Sequence, residues 1–306
     1  MFDPRRLQAL HAVHVHGSVL DAALELGLTS SAVSQQINKL EREVGTPLLE
    51  RAGRGVVLTD AARVLVVAAE EIRGATDRAT ARLEDMREDL SGTLRLACFP
   101  SAIEAFVAPT IAELQRQAPD LHVRLHEMFP ARAHDAVVGG HVDVAIVHVW
   151  GDAPASTTAG IGSRVMGDDP VEILLHADHP FADRSTVALA DLADDIWVTD
   201  DLEGFCRKWL VRHLAEVGRR PRVDYRVDEL SAQVALVAAG LCSGFLPRLA
   251  LGLLPEQVRS LAVEGDAPFR RVHALYREPA ISRPAVRRFI AELDARVPTS
   301  WTGRGS

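Results

Sequence analysis

Two short helical segments joined by a glycine turn constrain this chain more than any other feature. The first, residues 20–26, contains two adjacent alanines that allow a second helix to approach closely, and Gly27 supplies the positive-φ residue that ends it. After Thr29, a predicted N-cap, apolar residues recur at steps of four, three and four, which is one helical stripe: Val33, Ile37, Leu40 and Val44. The two segments together predict a helix-turn-helix.

The polar face of the second helix predicts contact with DNA. It carries short, uncharged hydrogen-bonding side chains, which read base edges and phosphates in a major groove. The alternative is an ordinary solvated face, which an isolated helix would favour, but the preceding helix and the Gly27 turn favour DNA. The predicted DNA contacts in this motif are Ser18, Thr29, Ser30, Ser31, Ser34, Gln35 and Asn38.

A short hairpin is predicted to follow the second helix. Residues 45–47 break the helix, and a turn at 52–55 is flanked by short apolar runs. Arg51 and Arg54 give this hairpin a cationic tip, and we predict that they contact backbone phosphates or a narrow minor groove. The alternative is that both are ordinary solvated arginines.

These residues carry a resemblance to a known family. Residues 17–37, 40–41, 45–51 and 58–59 resemble the N-terminal domain of the LysR-type transcriptional regulators, and the similarity covers the domain without gaps. The resemblance implies that the helix after Thr29 enters the major groove and that the hairpin, as a wing, touches the adjacent backbone.

Composition and charge favour a cytoplasmic protein that binds specific DNA sites. Asp3 and Pro4 are an N-cap and a first helical residue in place of a signal peptide, and no apolar run approaches membrane-spanning length. The net charge is −8, and six basic residues balance six acidic ones over residues 1–59, which argues against non-specific coating of nucleic acid. We therefore expect the affinity for DNA to come from the positions of individual side chains and from dimer formation, and not from net positive charge.

Cysteine and histidine usage indicates no metal site. The three cysteines are widely separated and odd in number, so buried packing is expected, with no disulfide framework and no CxxC site. A histidine cluster near the N-terminus has no carboxylate or cysteine partner in the pattern. These residues are Cys98, Cys206, Cys242, His11, His14 and His16.

A long helix is predicted over residues 60–90, beginning at Thr59 and Asp60. Its apolar seam is too long for a domain of sixty residues to bury, so we expect it to pair with the same helix of a second subunit. The alternative is packing against the C-terminal domain of its own chain. The seam comprises Ala61, Leu65, Ala68, Ile72, Ala75, Ala79, Leu83 and Met86.

Beyond residue 91, apolar strands alternate with amphipathic helices, which indicates an α/β domain. Strands are predicted near 94–98, 123–125, 142–147, 171–175, 196–198 and 272–276, and helices near 101–118, 131–139, 204–217, 229–239 and 284–296.

The second half of the chain resembles the effector domain of the same family, which is similar in fold to type 2 periplasmic binding proteins. The matching landmarks are 92–96, Ser101, Pro109, 140–146, 179–180, 189–192, 236–241 and 246–247. The resemblance implies one lobe of residues 93–162 and 268–297, another of 163–267, and a ligand between them. The predicted class is thus α+β and multi-domain: a winged helix-turn-helix (1–59), a linker helix (60–90) and a two-lobed α/β effector domain (91–306).

In such a fold ligands bind at the carboxyl ends of strands. A strand ends and a helix begins at residues 99–102, where free N–H groups and the helix dipole favour an anion and Ser101 adds a hydroxyl. Ser101 as an N-cap alone is the alternative. We expect an unidentified small-molecule effector, such as a carboxylate, and no other cofactor. The predicted effector contacts are Phe99, Pro100, Ser101, Ala102, Phe129, His148, Thr199 and Asp200.

The sequence therefore predicts a ligand-responsive, sequence-specific transcriptional regulator that is not an enzyme. Its expected partners are an interrupted inverted repeat in double-stranded DNA, a second subunit in a homodimer, a further dimer in a homotetramer, and RNA polymerase if it activates; no membrane is expected. A solute-binding protein or enzyme is the alternative, but no nucleophile and base pair, metal spacing or phosphate loop supports it. An architectural DNA organiser is opposed by the balanced charge of residues 1–59.

Overall fold

A computed structural model describes residues 2–52, 55–85, 90–200, 205–252, 254–265 and 267–297 of the 306-residue chain. The chain begins with a helical domain. Its three helices are α1 (Pro4–His16), α2 (Val19–Leu26) and α3 (Ser30–Val44), and they are followed by the hairpin strands β1 (Leu49–Ala52) and β2 (Gly55–Leu58). Gly27, with φ of +64°, ends α2 in the left-handed conformation, and its N–H bonds back to the last turn of that helix. The predicted winged helix-turn-helix is confirmed.

Helix α4 (Asp60–Asp85) leaves this domain as a single run of 26 residues. Thr59 caps it, because its hydroxyl accepts the Ala62 N–H at 3.2 Å and donates to the Pro47 carbonyl at 3.0 Å. The first turns of α4 bury Ala62, Leu65 and Val66 against α1 and α3. The N-terminal domain and the linker helix therefore share one core.

The C-terminal half is built on an eight-stranded sheet with the path β4-β3-β5-β12-β6-β11-β7, in which β10 also pairs with β6. A separate parallel pair, β8 and β9, lies beside β10 through a bridge between Trp197 and Ser243. The strands are β3 (Gly92–Cys98), β4 (Leu121–Glu127), β5 (Val144–Trp150), β6 (Ile161–His176), β7 (Thr186–Val187), β8 (Ile196–Thr199), β9 (Arg222–Arg226), β10 (Gly244–Pro247), β11 (Val258–Val263) and β12 (Phe269–Arg277).

Helices cover the faces of this sheet. Between β3 and β4 the helix α5 (Pro100–Ala102) runs through a π-helical turn (Ile103–Val107) into α6 (Ala108–Gln117) without a break. The remaining helices are α7 (Pro130–Val138), α8 (Phe205–Glu216), α9 (Leu230–Ala238) and α10 (Pro284–Asp294). Each predicted helix is present within a few residues of its predicted bounds.

Strand β6 divides the domain into two lobes. Its first half, from Ile161 to Pro170, pairs with β12, and its second half, from Val171, pairs with β10 and β11. Separate apolar clusters fill the two sides, one around Leu96 and Phe289 and another around Trp197 and Leu210. The strand pairing thus places the boundary between the lobes at Pro170, whereas the expected boundary lay after residue 162. The difference arises because β6 remains paired with β12 as far as Pro170.

Four strands escaped the sequence analysis: β7, β9, β10 and β11. Strand β7 has two residues, and β10 is only four residues long and wholly buried. Strand β9 alternates exposed and half-buried residues and contains three charged side chains. Strands β7 and β10 are too short for a recognisable pattern, and β9 has only two apolar residues among its three charged ones.

Candidate functional site

The exposed face of α3 carries most of the residues predicted to read DNA. Ser31, Gln35 and Asn38 are exposed, and Ser30 and Ser34 are half-buried. The opposite face buries its apolar stripe: Val33, Ile37 and Leu40 are at most 2 % exposed. The helix therefore presents a continuous uncharged polar surface to the solvent while its other side is held by the domain core.

Two of the predicted contacts are N-caps. The Thr29 hydroxyl accepts the Ala32 N–H at 3.1 Å and begins α3. The Ser18 hydroxyl accepts the Asp21 N–H at 3.0 Å and donates to the Asp21 carboxylate at 2.6 Å, so it begins α2. Glu41 then ties α3 to the wing, because its carboxylate accepts the Leu48 N–H at 2.8 Å. Local hydrogen bonds thus set the angle between the helix and the hairpin.

The wing is described in part. Strands β1 and β2 pair in register from Leu49 opposite Leu58 to Ala52 opposite Gly55. The side chain of Arg51 and the whole of Arg54 lie outside the described residues. Their predicted contacts with the DNA backbone stay a prediction.

Helix α4 has two apolar faces. Ala62 and Val66 are buried in the N-terminal domain, whereas Val64, Ile72 and Leu83 are 68, 46 and 62 % exposed. The predicted single seam is therefore wrong at its start, because Ala61 and Leu65 pack inside their own domain. From Ala68 onward the described seam residues line the exposed side; Met86 lies outside the described residues.

A third side of α4, outside the predicted seam, contacts the C-terminal domain of its own chain. Arg73 donates to the Gly139 carbonyl at 3.0 Å and lies 3.1 Å from the Nε2 atom of His11 in α1. Burial, together with Arg73 and the neighbouring histidine His14, lowers the pKa of His11 from its usual 6.5 to about 3. Arg73 thus joins the linker helix to both domains, and His11 is neutral at that junction.

A cavity of about 910 Å³ lies between the two lobes. It is large enough for a drug-sized metabolite. Its aromatic and polar walls come from β5, β10, β12, α5, α8 and α9 and from the residues that begin α5 and α7. Among the residues that line it are Phe99, Ser101, Glu104, Phe129, His148, Trp150, Asp200, Cys206, Asp228, Glu229, Gln233 and Arg270.

A buried arginine forms the charged centre of one wall. Arg270 in β12 is 4 % exposed and pairs through Nε with Asp169 in β6 at 2.6 Å. Its Nη2 donates to the Ser101 hydroxyl at 2.7 Å, and its guanidinium lies 4.8 Å from the centre of the Phe99 ring. Asp169 also accepts the Leu249 N–H at 3.0 Å. Burial raises the pKa of Asp169, while Arg270 and Leu249 act in the opposite direction.

An aromatic ladder continues from this arginine along the cavity. The His148 ring meets Phe99 edge to face with centroids 4.8 Å apart and Trp150 at 5.9 Å, and Trp150 stacks on Phe205 at 4.2 Å. Burial first, and the nearby Arg270 second, lower the pKa of His148 from 6.5 to about 3. The imidazole is therefore neutral, and its buried Nδ1 has no hydrogen-bond partner among the described residues.

The far side of the cavity is acidic. Burial and the neighbouring Asp228 carboxylate raise the pKa of Asp200, while Arg207 acts in the opposite direction. One oxygen of Asp200, Oδ1, is buried and meets no hydrogen-bond donor within the described parts of the chain. Glu229 caps α9 through Oε1, which accepts the Ser231 N–H at 3.3 Å and also the Ser231 hydroxyl at 3.0 Å.

Most of the predicted effector contacts do line the cavity: Phe99, Pro100, Ser101, Phe129, His148 and Asp200. Two do not. Ala102 is 0 % exposed within the lobe core, and Thr199 is 2 % exposed and donates its hydroxyl to the Asp200 carbonyl at 2.9 Å. Placing them in the cavity was wrong, because both side chains face the interior of their lobes.

The sequence analysis missed the most buried charged residue of the cavity, Arg270. One signal was available: β6 contains the doublet Asp168 and Asp169, and β12 contains the doublet Arg270 and Arg271, each within a strand. Pairs of opposite charge inside adjacent strands indicate buried ion pairs. Arg271 indeed binds Asp168 through two nitrogens, at 2.7 and 2.9 Å.

The cysteines are packing residues. Cys98 and Cys206 are buried, at 0 and 8 % exposure, and burial raises the pKa of both thiols well above the usual range. Burial raises the pKa of the half-buried Cys242 to about 11. A thiol held in its neutral form is a poor nucleophile.

The comparison with family models decides the identity of the two regions. A model described as LysR substrate binding domain matches residues 87–298. A second, described as bacterial regulatory helix-turn-helix protein, lysR family, matches residues 4–63. The chain belongs to the LysR family. The predicted family and fold class are confirmed.

Relatives of this LysR protein are named as regulators. It is 28 % identical to the RuBisCO operon transcriptional regulator of Allochromatium vinosum over 96 % of this chain and 97 % of that protein. It is 29 % identical to the HTH-type transcriptional regulator BudR of Raoultella terrigena over 74 % of this chain and 78 % of the relative.

Solved structures share the fold along nearly the whole chain. A full-length OxyR variant from Pseudomonas aeruginosa has a TM-score of 0.66 at 20 % identity and covers 96 % of this chain and 95 % of its own. Full-length CbnR complexed with its target DNA has a TM-score of 0.54 at 20 % identity, with coverage of 96 and 99 %.

This LysR protein is therefore a sequence-specific, DNA-binding transcriptional regulator with a substrate-binding domain for a small-molecule effector, and not an enzyme. Among its described helices, none is both long and apolar enough to cross a membrane.

Proposed function

We propose that the protein acts as a homodimer, paired through α4, that reads an interrupted inverted repeat in double-stranded DNA. The observation that carries this proposal is the division of α4 into separate apolar faces, of which one stays uncovered by its own chain. Val64, Ile72 and Leu83 lie along this uncovered side. A two-fold pairing of α4 would bury these side chains and would hold two α3 helices at a defined spacing.

In this dimer, α3 enters the major groove and its polar face reads base edges. Gln35 and Asn38 are the exposed amides of that face, and an amide side chain can hydrogen-bond an adenine through two atoms. Arg51 and Arg54 of the wing contact the neighbouring backbone. Because the charge of residues 1–59 is balanced, binding depends on two half-sites being occupied together.

The effector occupies the interlobe cavity and places an acidic group against the Ser101 and Arg270 pair. Support comes from the burial of Arg270 and from its hydrogen bond to Ser101. Family membership alone supports three further expectations: a dimer of dimers, work in the cytoplasm without membrane contact, and contact with RNA polymerase if the protein activates transcription. No cofactor other than the unidentified effector is proposed.

Footprinting of the protein on its own promoter, and on that of a divergent neighbour, tests the DNA half of the proposal. We expect protection of two half-sites in inverted orientation. A footprint over a single asymmetric half-site would contradict the proposal.

A substitution on the uncovered face of α4 tests the dimer. Leu83→Asp places a charge in the proposed pairing surface, so light scattering should show loss of the dimer and a gel shift should show at least a tenfold loss of DNA affinity. Val217→Asp is a matched control, because Val217 is 50 % exposed after α8 in the other half of the chain. A Leu83→Asp protein that stays dimeric with wild-type DNA affinity would exclude α4 as the pairing surface.

A further inference from the structure

The interlobe cavity carries opposite charges on two of its walls, with an aromatic wall between them. We propose that its effector is a zwitterion, an amino acid with a large apolar side chain, whose carboxylate binds at Arg270 and Ser101 and whose ammonium binds at Asp200. This inference rests on the proposed function of the cavity as the effector site. It adds the chemical class of the effector.

The carboxylate end is a built site. Arg270 is 4 % exposed, and Asp169 and Ser101 occupy its Nε and Nη2. Its remaining nitrogen, Nη1, donates to no acceptor among the described residues, although the side chain lines the cavity. A buried guanidinium with one unused donor beside a hydroxyl binds a carboxylate oxygen with charge-assisted hydrogen bonds.

The ammonium end is a carboxylate with one unpaired oxygen. Asp200 Oδ1 is buried and has no donor among the described residues, and the Asp228 charge lies near enough to raise the pKa of Asp200. A carboxylate oxygen that is buried without a donor is costly, and an ammonium group supplies three donors and the opposite charge. A ligand amine at this point would satisfy Asp200 and offset its repulsion with Asp228.

A dicarboxylate and a simple amine both fit less well. Four acidic residues line the cavity, and Arg270 is the one lysine or arginine among the described lining residues. A second ligand carboxylate would therefore meet repulsion, whereas a simple amine would leave Arg270 Nη1 without an acceptor. The wall formed by Phe99, His148 and Trp150 accommodates an apolar body between the two charged groups.

Calorimetric titration of the full-length protein tests the proposal with matched sets of probes. The amino acids are L-phenylalanine, L-tryptophan, L-leucine and L-methionine, and each is compared with its deaminated acid and its decarboxylated amine. For the phenylalanine set these analogues are 3-phenylpropanoate and 2-phenylethylamine. We expect at least one amino acid to bind at least ten times more tightly than either of its analogues.

Two variants test separately where the ammonium and the carboxylate of the ligand bind. Asp200→Asn should weaken the amino acid about tenfold and leave the deaminated acid unchanged or tighter, because only the amine loses its partner. Ser101→Ala should weaken the amino acid and the deaminated acid alike. Asp178→Asn is the control: its side chain is 93 % exposed, and it is not among the cavity residues.

The outcomes separate this inference from the proposed function. If a deaminated acid binds as tightly as its amino acid, the cavity is a carboxylate site and the zwitterion is excluded, while effector binding stands. If no probe binds, the amino-acid class is excluded, and the footprint on the inverted repeat still tests the proposed function independently. Equal losses in Asp200→Asn for all three members of a set would exclude an ammonium contact at Asp200.

Discussion

The DNA-reading domain and the interlobe cavity are built from contacts of very different reach along the chain. In the first, Thr29 caps Ala32, Ser18 caps Asp21 and Glu41 holds Leu48, so each bond spans at most seven residues. In the cavity, Arg270 binds Asp169 across 101 residues and Ser101 across 169. The reading surface therefore depends on local sequence, whereas the cavity depends on the lobes being docked together.

This difference indicates which of the two sites changes shape when the lobes move. A helix with its own caps keeps its shape when the rest of the molecule moves. A cavity that lies between two lobes changes shape with any shift of one lobe against the other, so a ligand that bridges the lobes selects one arrangement. Arg73, which touches both His11 and the Gly139 carbonyl, connects the C-terminal domain to the N-terminal domain.

The largest expected effect is a loss of stability in the C-terminal domain, where the cavity depends on contacts between distant segments. Asp169→Ala leaves Arg270 as an uncompensated buried charge, so the C-terminal domain should lose about 3–5 kcal/mol of its free energy of unfolding. The neighbouring Asp168→Ala is the matched control, because the Asp168 and Arg271 pair is more exposed and should contribute about 1 kcal/mol or less. Denaturant unfolding of both variants measures this; equal losses would show that the Arg270 pair is no more important than a surface pair.

The next largest effect is a loss of DNA affinity from a substitution in α3. Gln35→Ala should weaken binding to the cognate site by about 1–3 kcal/mol through loss of base contacts and leave binding to random DNA nearly unchanged. Gln36→Ala, on the adjoining half-buried position of the same helix, should change cognate affinity less. Fluorescence anisotropy on both DNAs measures the difference, and unchanged cognate affinity in Gln35→Ala would mean that another face of α3 reads the bases.

A third prediction compares the two regions through one buried histidine in each. His11 and His148 both have a pKa lowered from 6.5 to about 3 by burial. Their stabilising contribution is therefore complete above pH 6.5 and is lost as the pH falls toward 3, by up to about 1.4 kcal/mol per pH unit for each proton. His11→Gln and His148→Gln should each flatten the fall in stability between pH 6.5 and 4.5. A variant with the wild-type pH dependence would show that its histidine has the same pKa in the native as in the unfolded protein.

The smallest effect concerns a single cap. Thr29→Ala removes the hydroxyl that accepts the Ala32 N–H and should cost about 1 kcal/mol of stability in the N-terminal domain. Thr29→Ser keeps the acceptor and should restore most of this loss. Calorimetric melting with a probe ligand present would show whether the loss stays within the N-terminal domain, as the local character of the bond requires; a matching loss in the C-terminal domain would contradict it.

The fold was largely predictable because its signals are local. The caps Asp3, Ser18 or Thr29 and the turn at Gly27 are readable from a few neighbouring residues, and the strands with long apolar runs are equally plain. Strands β9 and β10 were missed because one is polar and the other very short. Their conformation depends on pairing with β8 and β6, which are distant along the chain.

The sequence by itself determined helix α3 with its polar face, the beginning of α4, the alternation of the C-terminal half and Ser101 at the start of α5. Tertiary structure alone decided that α4 presents separate faces to its own chain and to solvent, that the lobes cross at Pro170, and that Arg270 and Asp200 face one cavity with opposite charges. The physical reason is the distance along the chain over which each interaction acts. Capping and helical periodicity act within a few residues, whereas a buried ion pair or an unsatisfied carboxylate has meaning only when distant segments have excluded water together.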